Sequence, residues 1–213
     1  AAANGIMTAL EEKNIGFDVK VTKVPIVPAA VLFDLQLGTP KIRPDHEMGY
    51  KAVQNASSEE KEVGKIGAGM GCSVGKILGP EHASPSGIGS ASIKLKNNTY
   101  IGAIVAVNAF GDILNDNNKI IAGCKNKKTD EFLNTYKLMQ EKSPTNFGQN
   151  TTIGVIATNA KLTKSQATKV AQVSHNSYAK HINPVHTTLD GDTIFALSTG
   201  QKEIDINLLA TTA

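Results

Sequence analysis

Tryptophan is absent from the 213 residues, cysteine occurs twice, and aromatic residues make up 5% of the chain. Few rings are therefore available to stack on bases. The charge is not arranged for nucleic acid either: 22 Lys and Arg oppose 19 acids, and only Lys125, Lys127 and Lys128 cluster. A nucleic-acid binder ordinarily carries a dense basic stripe interleaved with aromatics, so no nucleic-acid partner is expected. Long apolar runs are missing too. Val24–Leu35 is broken by Pro25, Pro28 and Asp34, and Tyr100–Phe110 by Gly102 and Asn108, so neither reads as a membrane span. The opening Ala-Ala-Ala-Asn-Gly-Ile-Met lacks an initiator Met and a basic n-region, and reads as a chain that starts inside a fold. Cys72 and Cys124 have no Cys-x-x-Cys partner and read as buried reduced thiols, which fits a cytoplasmic setting. What is present is enough apolar residue, 40%, for one sizeable core. At this length a domain buries roughly 70% of its unfolded surface without staples.

Patterning along the chain predicts mixed α and β structure. Ile6 and Leu10 lie at helical spacing before Gly16, and a second amphipathic helix is expected over Met48–Ala56. Pro25 and Pro28 forbid a regular element across them, which suggests a fixed, buried turn with a short strand over 25–35. Glycine is concentrated between residues 64 and 92. Ser90–Lys96 alternates like a strand, Asn97-Asn98 supplies a turn, and Tyr100–Asn108 reads as the returning strand. Residues 115–149 are polar, with a helix-like stretch at Glu131–Gln140, and read as the best linker. Asn150–Thr158 is a β-branched strand. Thr163 with Gln166 forms a capping box for a helix carrying Val170, Ser174, Tyr178 and Ile182 on one stripe, and a final strand follows Asp190-Gly191.

The Gly-rich segment fails the nucleotide-binding tests. A P-loop ending in Gly75-Lys76 needs Gly where Met70 stands and Ser or Thr where Ile77 stands. A dinucleotide fingerprint fails at Cys72 and Val74. No nucleophile elbow or zinc helix is present, and His46, His82, His175, His181 and His186 show no metal-ligand spacing, so no metal is expected. His175 and His181 read as helix-surface residues.

A hydroxyl remains at an unusual place. Asn150-Thr151-Thr152 sits where a polar segment gives way to a buried strand. An N-to-O acyl shift there would expose Thr151 as a new N-terminus, whose α-amine, with an ordinary pKa near 8, can serve its own hydroxyl as base. Two strand-opening threonines are the plainer reading. Asp190-Gly-Asp192 is either a solvated turn or two carboxylates converging on one point. Asn108 puts a polar group in an apolar strand and needs a partner or a role. Lys76 is an anion contact or a surface lysine.

Several segments together resemble one family. Val24–Leu35, Gly67-Ala-Gly-Met-Gly71, Gly87–Ser92, Gly102–Gly111, Asn150–Thr158 and Pro184–Gly200 are similar, in order, to the L-aminopeptidase/D-esterase family of self-processing N-terminal-nucleophile hydrolases, and most to its nylon-oligomer (6-aminohexanoate-oligomer) hydrolase branch. The resemblance implies an α/β fold, a four-layer α/β/β/α sandwich, and self-cleavage between Asn150 and Thr151. Residues 1–150 would then be the large-subunit portion, lacking its N-terminal segment, and 151–213 the small subunit, together one domain. It implies that Thr151 is the nucleophile, that Asp190 and Asp192 flank it, that Asn108 stabilises the oxyanion and that Lys76 supports the pocket. Phe33 stands where relatives carry Tyr or Trp and is expected to bind substrate. No cofactor is implied. The implied partners are a small or oligomeric amide substrate and further copies of the chain, as a tetramer of cleaved heterodimers. Aminopeptidase, D-amino-acid amide or ester, and pantetheine-like substrates remain open, as do an acyltransferase and a silent, uncleaved homologue.

Overall fold

The computed structural model describes residues 1–59, 62–141 and 150–213. Two compact units emerge, Ala1–Val31 with Gly38–Lys61, and Leu32–Leu37 with Glu62–Ala213.

The first unit holds helix α1 (Ala2–Glu12), the short paired strands β1 (Phe17–Asp18) and β2 (Lys23–Val24), and helix α2 (His46–Gln54). Asp45 caps α2 by accepting the Met48 N–H. The two helices touch through glycines. A Cβ on Gly5 would fall 1.9 Å from the His46 carbonyl oxygen, and one on Gly49 would fall 2.0 Å from that of Ala2, so no larger side chain permits this approach. The short strand expected over 25–35 does not form, and the stretch is not buried as expected: it has no regular structure, and Ile26 and Val31 are exposed.

The second unit contains β3 (Ser73–Val74), β4 (Ser84–Pro85), β5 (Ile88–Lys94), β6 (Tyr100–Ala106), β7 (Asp112–Leu114), β8 (Ile120–Ala122), α3 (Thr135–Glu141), β9 (Ile153–Ala160), α4 (Lys164–His181), β10 (Ile182–Asn183), β11 (Thr193–Lys202) and α5 (Ile206–Thr212). Its main sheet runs β11-β9-β6-β5. The β5–β6 hairpin forms as the alternation predicts, with Asn98 at φ 61 in its turn. Strand β6 ends at Ala106 rather than Asn108. The polar carboxamide thus lies just past the strand, where it is free to bond outside the ladder.

Strands β9 and β11 are parallel and therefore need a crossover, which α4 supplies behind the predicted Thr163–Gln166 capping box. Ile101, Ile156 and Ala160 from the sheet pack against Val170 of α4 and Leu209 and Ala210 of α5. Fully burying side chains such as Val170 and Leu209 contributes roughly 1.5–3 kcal/mol each. The opposite sheet face keeps Ile104 and Leu197 about half exposed, at 52% and 47%.

Residues 115–141, read from composition as linker, are structured. They contribute β8 to the sheet β10-β7-β8 and carry α3. Asp112 pins this region. Its buried carboxylate accepts the Cys124 N–H at 2.9 Å and both the N–H and hydroxyl of Thr135 at 2.6 Å. Three long-range donors on one carboxylate outweigh the polar local composition. The rest of the expected linker, 142–149, lies outside the described residues. Among the described residues no helix is long and apolar enough to cross a membrane.

Candidate active site

The site lies within the second unit, where the β9–β11 ladder continues upstream of both strands. Asn150 forms a parallel bridge with Asp190. The Leu189 carbonyl accepts the Asn150 N–H at 2.9 Å, and the Thr152 carbonyl accepts the Thr193 N–H at 2.9 Å. Between them the Asn150–Thr151 peptide is held at both ends. The Asn150 carbonyl accepts the Gly191 N–H at 2.7 Å, and the Thr151 N–H donates to the Asn108 carbonyl at 2.9 Å. The Thr151 side chain is buried, and a Cβ on Gly191 would stand 3.4 Å from its Oγ1.

Asp190 and Asp192 face in from the same loop with different partners. Asp190 accepts the Phe110 N–H at 3.2 Å through Oδ1, and through Oδ2 the Thr187 hydroxyl at 2.6 Å. Burial pushes its carboxyl above the ordinary range, the Thr187 and Phe110 hydrogen bonds oppose the shift, and the charge of Asp192 adds to it. Asp192 accepts the Thr152 N–H at 2.8 Å through Oδ1. Its Oδ2 lies 2.8 Å from Nδ1 of His186.

Asn108 and Lys76 meet on the other side. Gly75 adopts φ +73, and a Cβ there would strike the Cys124 nitrogen at 1.9 Å, so glycine alone fits. The turn so made sends the Lys76 amine to Oδ1 of Asn108 at 2.5 Å and to its carbonyl at 3.4 Å. The Asn108 carbonyl therefore faces both the Lys76 ammonium and the Thr151 amide. The carboxamide is held further by the Ser73 N–H at 3.2 Å, and donates from Nδ2 to the Phe33 carbonyl at 2.7 Å. One Nδ2 hydrogen is thus engaged and the second is not committed by that bond. Burial lowers the Lys76 amine to about 8, with Cys72, Asp190 and Asp34 pulling it back up. A neighbouring cavity of about 510 Å³, measured with its open mouth, is lined by Phe33, Asp34, Lys76, Asn108, Phe110 and Asn150.

Every residue singled out in the sequence, namely Phe33, Lys76, Asn108, Asn150, Thr151, Asp190 and Asp192, falls in or beside this one locus. The cysteines are buried and free as expected. Burial pushes the Cys72 thiol up to about 11, which removes it as a competing nucleophile near neutral pH. Three contributors escaped the sequence. The Gly191 N–H is a backbone group without a side-chain signal. Asp34 was visible only as a break in an apolar run. His186 was tested for metal spacing and not for a carboxylate six residues on. Among the described residues no group of three or more His, Cys, Asp or Glu side chains could hold a metal ion.

The structure thus sets a hydroxyl residue at a clasped peptide bond beside an acidic loop on a mixed α/β sheet, and solved aminopeptidases share the fold. A β-aminopeptidase from Burkholderia sp. superposes with a TM-score of 0.59 at 19% identity, covering 99% of this chain and 59% of its own. The L-aminopeptidase D-Ala-esterase/amidase from Ochrobactrum anthropi, described as a variant of the Ntn hydrolase fold, gives 0.53 at 19% identity over 78% of this chain and 44% of its own. The chain belongs to peptidase family S58, whose model matches residues 1–212. An uncharacterized aminopeptidase of Mycobacterium leprae is 39% identical over 95% of this chain and 57% of its own length. A 6-aminohexanoate-oligomer endohydrolase of Kocuria sp. is 30% identical over 96% of this chain and 58% of its own. The chain thus spans somewhat under three-fifths of these relatives.

Proposed function

We propose that this chain forms the reacting part of an amide hydrolase that cleaves itself between Asn150 and Thr151 and then uses Thr151 as an N-terminal nucleophile. The observation that carries the reading is the clasped Asn150–Thr151 peptide. Its carbonyl oxygen receives the Gly191 N–H, and its nitrogen is tied to Asn108, which Lys76 charges from behind. A hydrogen bond aimed at an oxygen that becomes negative stabilises the transition state more than the ground state.

The first reaction balances within the chain. Thr151 Oγ1 attacks the Asn150 carbonyl carbon; a C–O bond forms, the C–N bond breaks, and the hydroxyl proton ends on the departing nitrogen. Water then cleaves the ester, leaving a carboxylate on Asn150 and a free amine and hydroxyl on Thr151. In the mature enzyme that amine takes the hydroxyl proton as Thr151 attacks a substrate amide, passes it to the leaving amine, and water releases the acyl group. Asp190, through Thr187 and the Phe110 amide, and Asp192, through the Thr152 amide, hold the loop and strand that orient Thr151, and Asn108 with Lys76 receives the substrate oxyanion.

The substrate class we favour is a linear amide carrying a free ammonium at one end, such as an aminoacyl peptide or a 6-aminohexanoate oligomer. Asp34 and Phe33 in the same cavity wall suit a cationic head followed by an apolar stem. The residues 1–150 and 151–213 then act as large and small subunits within one four-layer sandwich, and the cleaved pairs assemble as a homo-oligomer.

Denaturing intact-mass measurement tests the core of this reading. Fragments of 150 and 63 residues ending and starting at Asn150 and Thr151 are expected from this chain. A permanently intact peptide bond there would refute it.

A further inference from the structure

Behind the Asp190-Gly191-Asp192 loop three rings gather at one carboxylate. The Asp192 side chain is 4% exposed and has two anchors, the Thr152 amide on Oδ1 and the His186 ring on Oδ2, each at 2.8 Å. Nε2 of His186 lies 3.3 Å from Nδ1 of His175 on α4. The two imidazoles meet edge on, with centroids 4.9 Å apart, and the Tyr178 ring stands 5.5 Å from His175 and 6.2 Å from His186. The chain of contacts therefore runs from a helix surface to the peptide that follows Thr151.

The backbone marks the same residue. His186 sits at φ +52, in the left-handed region that costs a residue with a Cβ about 1 kcal/mol or more. Strain of this kind is held in place by surrounding contacts and is concentrated at working sites. Here it turns the ring onto Asp192.

We propose that His186 is a positioning residue: its Nδ1–H holds the Asp192 carboxylate on the Thr152 amide and so fixes the direction from which Thr151 acts, while His175 donates to Nε2 and sets the tautomer. This rests on the self-cleavage reading above. The hydrogen-bond logic is closed. A neutral imidazole that donates from Nδ1 must accept at Nε2, and the His175 Nδ1–H is the group within reach. Burial lowers the His175 pKa from the ordinary histidine value, which favours a neutral ring beside His186. Serving as a carboxylate-anchoring pair gives both histidines a use that metal spacing did not reveal.

The left-handed backbone makes two clean substitutions available. Asn tolerates that region and keeps an N–H for Asp192, whereas Gly relaxes the backbone and removes the donor. Cleavage between Asn150 and Thr151, followed by intact mass, is expected to stay within about threefold of the parent in His186→Asn. It is expected to slow roughly 10- to 100-fold in His186→Gly, as for a slightly misplaced reacting group. The ring is 37% exposed, so added imidazole can enter the vacated space and should restore the Gly variant. Pyrazole has the same size but adjacent nitrogens, cannot bridge Asp192 and His175, and should not restore it. Parent-rate cleavage in both variants, or equal rescue by pyrazole, overturns the proposal. An independent readout needs no variant to fold: the parent's ¹⁵N spectrum should show His186 protonated on Nδ1 at neutral pH, and an Nε2-protonated ring overturns it. A parent that never cleaves removes the proposed function and this role together; a cleaving parent with indifferent variants removes the role alone.

Discussion

Two buried carboxylate sites in the second unit use the same chemistry for different ends. Asp112 gathers the Cys124 amide and the Thr135 amide and hydroxyl, so its donors belong to a loop and to the start of α3. Asp190 and Asp192 gather the Phe110 amide, the Thr187 hydroxyl and the Thr152 amide, and the Gly191 between them donates to the Asn150 carbonyl, so this loop holds the Asn150–Thr151 peptide and the amide that follows it. Burial raises the carboxyl pKa at both Asp112 and Asp190. Burial and satisfied hydrogen bonds therefore do not separate a staple from a working site. What separates them is whether the atoms being held can react. The hydroxyl that Asp112 holds is that of Thr135 at the start of α3, and burial pushes the neighbouring Cys124 thiol up to about 11, whereas the next residue back from the amide that Asp192 holds is Thr151, beside the peptide that the Gly191 N–H and the Asn108 carbonyl clasp.

The widest break between the two regions is expected from Thr151→Ala. It should abolish both self-cleavage and amide hydrolysis while leaving the thermal transition near that of the uncleaved parent; any residual hydrolysis of amide substrates would remove Thr151 from its role. Asp192→Asn against Asp112→Ala sharpens the contrast. The first should slow cleavage about 100-fold at a stability cost under about 1.5 kcal/mol. The second should cost about 3 kcal/mol by leaving buried donors unpaired, with the cleavage rate of the folded fraction unchanged. Chemical denaturation paired with time-resolved mass measurement reads both numbers, and parallel losses in the two variants would erase the distinction drawn here.

Lys76 gives the comparison a pH axis. Its amine is lowered to about 8, so cleavage should decline as pH rises through that value and the ammonium behind Asn108 is lost. The stability sign is opposite. Because the folded amine binds its proton less tightly than the unfolded one, this group's contribution to stability rises between about pH 8 and the ordinary lysine range. In Lys76→Arg the alkaline decline should vanish, because the guanidinium keeps its charge; a pH profile identical to the parent's would exclude Lys76 from the reaction. The smallest effect is expected of Gly191→Ala. Its methyl would rest in ordinary contact, 3.4 Å from Thr151 Oγ1, so folding should be spared and cleavage slowed about tenfold by crowding. A normal rate would mean that the hydroxyl attacks from the other side.

Much of this was legible locally. The capping box at Thr163, the alternation of the β5–β6 hairpin and the β-branched run of β9 are periodic signals that tertiary contacts reinforced. Asn108 stood out as a polar group within an apolar strand, Thr151 as a hydroxyl where a polar segment meets one, and Asp190 and Asp192 as two carboxylates around a glycine. The reading failed where composition was asked to stand for structure. Residues 115–141 are polar and still fold, because Asp112 reaches across 23 residues to Thr135. The apolar 25–35 stretch forms no strand, because its prolines withhold ladder donors.

The sequence alone determined the local elements and, through its resemblance to a family, the candidate side chains and their order along the chain, since those follow from residue type and local pattern. Only the tertiary structure decided that the Gly191 amide meets the Asn150 carbonyl, that Lys76 stands behind Asn108, and that His186 is turned onto Asp192. The first two contacts join segments tens of residues apart, and the third, six residues apart, depends on the left-handed φ of His186. Hydrogen-bond geometry of that kind is set by the packing of strands and helices, and no pattern of residue types records it.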